Sequence, residues 1–259
     1  MTKNPIIMFI AIIALFAGAN IYVFYRLWHL TPPVGAARWI ILSLGLAATL
    51  CAFLYFVVAG RASHWVASTV YRIGMSWLMI FIYVLIAFLL MDLLRVTGLV
   101  PMEWMKYGSW KALGIFALAI ATIFTAGNIV YHNKKRVAVE VDTGKLPDEQ
   151  RPLKIVAVSD LHLGYAIGRK ELGKWVDMIN AENPDAVVIG GDLIDTHLRP
   201  LWEKDMASDL RRLNAPMGVY GAPGNHEYIS GIEESRKFYD AAGITYLADS
   251  VVLAGDSFY

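Results

Sequence analysis

The sequence predicts a multi-span α-helical membrane region, residues 1–133, followed by an α/β domain, residues 134–259. Three observations predict it. Hydrophobic residues make up 57% of the 259-residue chain and charged ones only 17%, with a mean hydropathy of +0.48, too apolar for an ordinary soluble domain. The charge divides unevenly, net +6 over residues 1–133 and net −5 over the rest. Apolar stretches of about 20 residues fill the first part, whereas short strand-like and helix-like runs alternate in the second.

The apolar stretches run Ile6–Tyr25, Trp39–Val58, Ile73–Leu94 and Ala112–Tyr131. Pro32-Pro33 breaks the first connection and Arg61 with His64 marks the second; the third carries Pro101, Glu103 and Lys106. Trp28, Trp39, Trp65, Trp104 and Trp110 fall near the span ends, the depth that amphipathic indoles favour. Lys3, an apolar run and Ala17-Gly18-Ala19 are also compatible with a cleaved leader, but the run continues through Ile21–Phe24, which favours a retained span. The cluster Lys134-Lys135-Arg136 tips the second half toward the cytoplasmic side. The membrane lipids are then expected partners of the first half. Asp92 and Arg95, three residues apart, read as a surface ion pair near the end of a span. Gly18, Gly45, Gly74 and Gly114 read as close-packing positions between helices. Cys51, alone in an apolar run, reads as a small hydrophobe.

In the second half, Val137–Val141 alternates as a strand does, and Asp142–Arg151 is polar and turn-rich. Strands are expected at Lys154–Ser159, Asp185–Ile189, Met217–Ala222 and Thr245–Leu253. Helices are expected at Lys170–Asn180, Glu203–Leu213 and Glu233–Ala242. Such alternation implies an α/β arrangement with a largely buried sheet. Ligands of such sheets gather in the loops after the strands' carboxyl ends. Three successive strand ends here carry Asp160-Leu161-His162, Gly191-Asp192-Leu193-Ile194-Asp195 and Gly224-Asn225-His226-Glu227. An acidic half with these loops gives no footprint for nucleic acid, and none is expected to bind.

Carboxylates and imidazoles without thiolate suit divalent ions such as Mn, Fe or Zn. Asp160 and His162 can face one ion where a strand opens into a loop, and Asp192 can bridge two. Two cations about 3.5–4 Å apart would clamp a phosphoryl oxygen and activate a hydroxide between them. Any one of these residues could instead cap a helix or sit in a turn; six of them at three successive strand ends is what the pattern adds.

In this order the three blocks resemble the first signature blocks of the calcineurin-like metallophosphoesterases, and SDLHLG and GGDLID resemble the bacterial membrane-associated branch in particular. The resemblance covers about residues 135–259. It implies a metallophosphoesterase domain, a four-layer α/β/β/α sandwich when complete, in a protein of the bacterial cytoplasmic membrane. It further implies Asp160 and His162 on a first metal, Asp192 bridging to a second, and Asn225 on the second. His226 would contact the phosphate and protonate the leaving alkoxide, with Asp195 orienting it and holding it cationic. Glu227 would be structural, and His197 an ordinary loop histidine.

The family's later blocks, a lone histidine and a Gly-His-x-His segment, have no counterpart, because no histidine follows His226. The second half therefore reads as the N-terminal half of the domain in a longer protein, inactive alone. The expected function is a membrane-anchored, divalent-metal-dependent phosphoesterase that hydrolyses phosphate mono- or diesters by two-metal hydroxide attack, with a lipid-linked phosphate as a candidate substrate. The alternative is a catalytically incomplete membrane protein whose phosphoesterase-like half binds a partner or phosphorylated ligand.

Overall fold

A computed structural model describes residues 5–99, 108–142 and 152–255. Two calls made above, the connection around Pro101, Glu103 and Lys106 and the turn-rich segment 143–151, lie outside these residues. Packing divides the chain into two compact units, Met1–Tyr55 with Ile73–Glu140, and Phe56–Arg72 with Val141–Tyr259.

The first unit contains α1 (Pro5–Leu30), most of α2 (Ala37–Val58) and of α3 (His64–Val96), and α4 (Trp110–His132). All four are long and apolar enough to cross a membrane. A core of Val23, Leu30, Phe81, Val84 and Phe88 joins α1 to α3, and Phe116 of α4 stacks on Phe88 at 4.7 Å. Most other large apolar side chains point outward, as lipid-facing positions do.

Of the four glycines read as packing positions, two serve that purpose. A Cβ on Gly45 would fall 2.5 Å from the Phe24 ring, and one on Gly74 would fall 2.5 Å from the Ala52 nitrogen. Gly18 and Gly114 face nothing within 4 Å. Asp92 does not pair with Arg95. Arg26 Nη2 lies 3.1 Å from its Oδ1, and the Tyr22 hydroxyl donates to its Oδ2. Its partners thus come from the neighbouring helix α1 rather than from its own helix. Val137, Val139 and Val141 form no strand and are exposed, since alternation yields a strand only beside a partner and the described residues supply none.

The third helix differs most from expectation. Its 33 residues span about 50 Å, against the roughly 30 Å of a bilayer's hydrocarbon core. Helix begins at His64 rather than Ile73, because Ser68, Thr69 and Arg72 end the apolar pattern without breaking the helical hydrogen bonding. Residues Phe56–Arg72 cluster with the second unit.

That unit is built on a parallel sheet of β1 (Ile155–Val158), β2 (Ala186–Ile189), β3 (Val219–Gly221) and β4 (Thr245–Tyr246), ordered as numbered. Ile155 pairs with Ala186, Val187 with Val219 and Tyr220 with Thr245. Its further helices are α5 (Arg169–Ala181), α6 (Arg199–Glu203), α7 (Met206–Leu210), α8 (Asn225–Ser230) and α9 (Ile232–Ala241). Leu172, Val176 and Ile179 of α5 pack with Val187 and Ile189 of the sheet, Leu201, Met206 and Leu210 of the short helices, and Phe238 of α9. This is the expected partial α/β domain. The single helix expected over Glu203–Leu213 is two short ones, split where Asp205 takes φ 48°. The last strand shrinks to Thr245–Tyr246, and Asp249 turns at φ 49° beyond it.

Candidate active site

Each motif block sits just after a parallel strand, so register decides which residues meet. The loops after β1 and β2 continue side by side. The Asp160 N–H donates to the Gly191 oxygen at 3.2 Å, His162 N–H to the Asp192 oxygen at 2.9 Å, and Leu163 N–H to the Leu193 oxygen at 2.8 Å. Asp195 N–H returns to the Leu163 oxygen at 2.9 Å. This lacing holds Asp160 and His162 opposite Asp192 and Asp195.

Backbone strain concentrates here. Asp160, His162 and Asp192 have φ of 56°, 45° and 51°, half of the positive-φ non-glycine residues described. A left-handed L-residue costs roughly 1–2 kcal/mol, least for short polar side chains. Gly191, at φ 93°, and Gly224 let two loops touch. A Cβ on Gly191 would fall 2.8 Å from the Gly224 nitrogen, and one on Gly224 would fall 2.2 Å from Asp192 Oδ1.

Glu227 ties the loops from beneath. It is fully buried. Its Oε2 accepts from the Asp192 N–H at 3.0 Å and the Gly224 N–H at 2.7 Å, and its Oε1 accepts from the Ile194 N–H at 3.0 Å. Three main-chain donors from two loops thus share one carboxylate, which is the structural part expected of Glu227. Burial first, then the neighbouring Glu227 carboxylate, pushes the Tyr239 phenol well above its usual range.

Ligand-type atoms of Asp160, His162 and Asp192 lie within 4.8 Å of one another, and so do those of His162, Asp195 and His226. Two ligands about 2.1 Å from one ion stand at most about 4.2 Å apart, so the first trio fits a divalent cation with sub-ångström adjustment. Its donors, two carboxylates and an imidazole, suit such an ion. Asn225 opens α8, exposed, beside His226.

The His226 N–H donates to Asp192 Oδ1 at 2.9 Å. Its Nδ1 lies 2.6 Å from the Asp195 main-chain oxygen and 3.7 Å from Asp195 Oδ1. A carbonyl can only accept, so Nδ1 carries the proton and is unavailable to a metal. The imidazole is therefore oriented by the Asp195 carbonyl, with the carboxylate nearby as a charge. The rings of His162 and His226 meet edge to face at 4.4 Å. Asp195 is buried, and its Oδ2 accepts from the Tyr71 hydroxyl at 2.6 Å. Nothing in the sequence marks Tyr71 out, since a tyrosine near the end of an apolar run looks like an interfacial aromatic.

His197 sits in the loop after Asp195, and burial pushes its imidazole below the ordinary value while the Asp195 charge opposes that. His64 lies 3.1 Å from Glu203, away from these clusters. Beside the site, a cavity of about 390 Å³ is lined by Arg72, Gly164, Arg169, Lys170 and Lys204 among others. Gly164 separates it from the site, for a Cβ there would fall 3.0 Å from Asp195 Cβ.

The second unit is thus a parallel α/β domain with a candidate metal-binding cluster at its strand ends, in a chain with four helices long and apolar enough to cross a membrane. Residues 153–256 match the family model of the calcineurin-like phosphoesterases. A zebrafish (Danio rerio) transmembrane protein with a metallophosphoesterase domain is 34% identical over 151 residues, 57% of this chain and 34% of that protein. An uncharacterized metallophosphoesterase of Campylobacter jejuni is 36% identical over 122 residues, 47% of this chain and 31% of that one. A Helicobacter pylori metallophosphoesterase, also uncharacterized, is 31% identical over 140 residues, 54% and 37% of the two chains. The matched part of the chain thus spans about a third of the length of these relatives. No solved structure matches the chain.

Proposed function

We propose that the protein is a membrane-anchored phosphoesterase hydrolysing phosphate mono- or diesters with two divalent cations as its resident cofactor. The observation that carries this reading is the convergence of Asp160, His162 and Asp192 beside an oriented His226, all at the carboxyl ends of adjacent parallel strands. Asp160, His162 and Asp192 would hold the first cation, and Asp192 with Asn225 would contribute to the second. When bound, such ions supply Lewis acidity to the phosphoryl group and make water a nucleophile at neutral pH.

The chain's own residues do the rest. His226, its Nδ1 proton held by the Asp195 carbonyl, presents Nε2 as the proton donor to the departing alkoxide. The Asp195 carboxylate lies 3.7 Å from Nδ1, on the side of the ring away from Nε2. Glu227 holds the Asp192 and Gly224 loops at the separation the site requires. The basic side chains lining the neighbouring cavity favour an anionic substrate. Residues 56–72 connect two apolar helices and belong to the same compact unit as the site, which supports a lipid-linked phosphate as substrate.

The test is hydrolysis of an alkyl phosphodiester, whose leaving group must be protonated, by the full-length protein with Mn, beside Asp192→Ala and His226→Ala. The reading expects losses of at least about 100-fold in both, the lower range for removing a general acid. Equal rates in all three would sink it.

A further inference from the structure

The Asp195 carboxylate is buried at 8% exposure, where a charged oxygen without a partner is strongly disfavoured. Its Oδ2 is satisfied by Tyr71, 124 residues earlier in the chain, whose hydroxyl donates at 2.6 Å. The Tyr71 side chain is half-buried and its ring lies 6.2 Å from that of Tyr165. From these contacts we infer that Tyr71, in the second turn of α3, is a positioning residue of the phosphoesterase site. It acts on His226 through Asp195, so a residue outside the strand-end loops supports the reaction machinery. The inference rests on the phosphoesterase reading above and deepens it.

Asp195 touches His226 twice, through its main-chain oxygen at 2.6 Å and its Oδ1 at 3.7 Å. With Oδ2 held by Tyr71, rotation of the carboxylate is blocked, and Oδ1 stays on the imidazole side. Without that donor, the buried carboxylate must turn toward another donor or toward water, and either movement takes charge away from the ring. The imidazole then loses a fixed neighbour on its Nδ1 side, and Nε2 is aimed less well at the leaving oxygen. The chemical step alters only in proportion to how much proton the leaving group needs.

A purely architectural role for the hydroxyl fits less well, because residues 59–72 have other ties to the same unit. The Tyr165 hydroxyl donates to the Ala59 oxygen at 2.8 Å and Arg199 Nη1 to the Ala62 oxygen at 2.7 Å. Arg72 Nε donates to the Tyr165 oxygen at 3.3 Å, and His64 Nδ1 lies 3.1 Å from Glu203. Removing one hydroxyl while keeping the ring leaves these in place. Tyr71 also precedes residue 134, so a catalytic half cut from the spans at that point lacks it.

The experiment compares wild type, Tyr71→Phe, Asp195→Asn, the double variant, His226→Ala and Asp192→Ala as full-length, Mn-loaded protein. Two esters are used, a 4-nitrophenyl ester whose leaving group needs no proton and an alkyl ester whose leaving group does. For Tyr71→Phe the expectation is an alkyl-ester kcat lower by about 10- to 100-fold, usual for loss of a hydrogen bond behind a site residue. The nitrophenyl kcat should hold within about threefold, with KM and Mn affinity unchanged, because the proton donor matters little there. In the Asp195→Asn background the same change should have no further effect on the alkyl ester. Equal losses on both esters, no loss on either, or full additivity with Asp195→Asn overturns the inference. Should His226→Ala and Asp192→Ala match wild type, the phosphoesterase reading itself fails, which is a separable result.

Discussion

Replacing Glu227 by Gln tests whether the site loops depend on one buried carboxylate. Glu227 is fully buried and takes three main-chain N–H groups, two on Oε2 and one on Oε1. Glutamine keeps the shape but has one oxygen and one NH2 group. Its oxygen fits best where two donors converge, toward Asp192 and Gly224, so the NH2 group faces the Ile194 N–H, donor against donor. A buried donor left without an acceptor costs about 1–3 kcal/mol, and the two bonds that remain weaken on losing their charge. The expected destabilisation of this loop pair is about 3 kcal/mol. At 1.36 kcal/mol per factor of ten, that corresponds to a loss of protection of roughly 150-fold. Amide hydrogen exchange measured by mass spectrometry on the full-length protein would read it in peptides covering 191–195 and 222–227. Peptides from the helices of the first unit serve as internal controls, since their hydrogen bonds are untouched. Unchanged exchange in the two loops, with unchanged Mn affinity, would refute the reasoning.

Other outcomes follow from the same geometry. Gly224→Ala puts a Cβ 2.2 Å from Asp192 Oδ1 and 2.7 Å from its nitrogen, so Mn affinity measured by titration calorimetry should fall at least about tenfold, the effect usual for disturbing a ligand's support. Because the His226 Nδ1 proton is committed to a carbonyl, His226→Ala should bind as much Mn per chain as wild type while losing turnover; loss of a bound ion would make His226 a ligand instead. Burial, with Glu203 adding and Arg199 opposing, raises the Tyr165 phenol above its ordinary value. A group whose folded value is raised contributes stability that is present below its unfolded value, about 10, and lost as pH climbs through the folded one. Limited proteolysis of the 56–72 segment should therefore accelerate above about pH 10 in wild type, and this added sensitivity should disappear in Tyr165→Phe.

Most of the strand-end placement was legible in the sequence, because parallel strands are short apolar runs and the loaded loops follow them directly. The structure brings Asp160, His162 and Asp192 together as the motif order implied, and sets His226 against Asp195. What sequence could not give was which atom makes a contact. The partner of His226 Nδ1 is a main-chain oxygen, and no side-chain pattern encodes a carbonyl's direction. Nor do motifs reveal that three expected ligands occupy left-handed backbone, although Asp and His are among the residues that tolerate it. Helix α8 was missed because NHEYIS carries no apolar period and its start is set by Gly224 and the Glu227 carboxylate. Tyr71 was out of reach for a different reason. Its contact closes 124 residues of chain, and hydropathy ranked it with the span around it.

The spans themselves were read correctly as elements and less well as partners. Local spacing suggested Asp92 with Arg95, but tertiary packing supplies Arg26 and Tyr22 from another helix. A carboxylate within a span pairs with the cation and donor that the packed bundle brings to it, and here the neighbouring helix supplies both.

The most direct test of the central claim is metal-restored hydrolysis by the full-length protein in its wild-type and Asp192→Asn forms. Both would be stripped of metal with chelator and then titrated with Mn against a phosphodiester, with bound Mn and initial rate followed together. Wild type should be inactive when stripped and recover in step with bound Mn. Asp192→Asn should bind less Mn and stay inactive at every concentration. Activity in the stripped protein, or equal recovery in the two forms, would contradict the account.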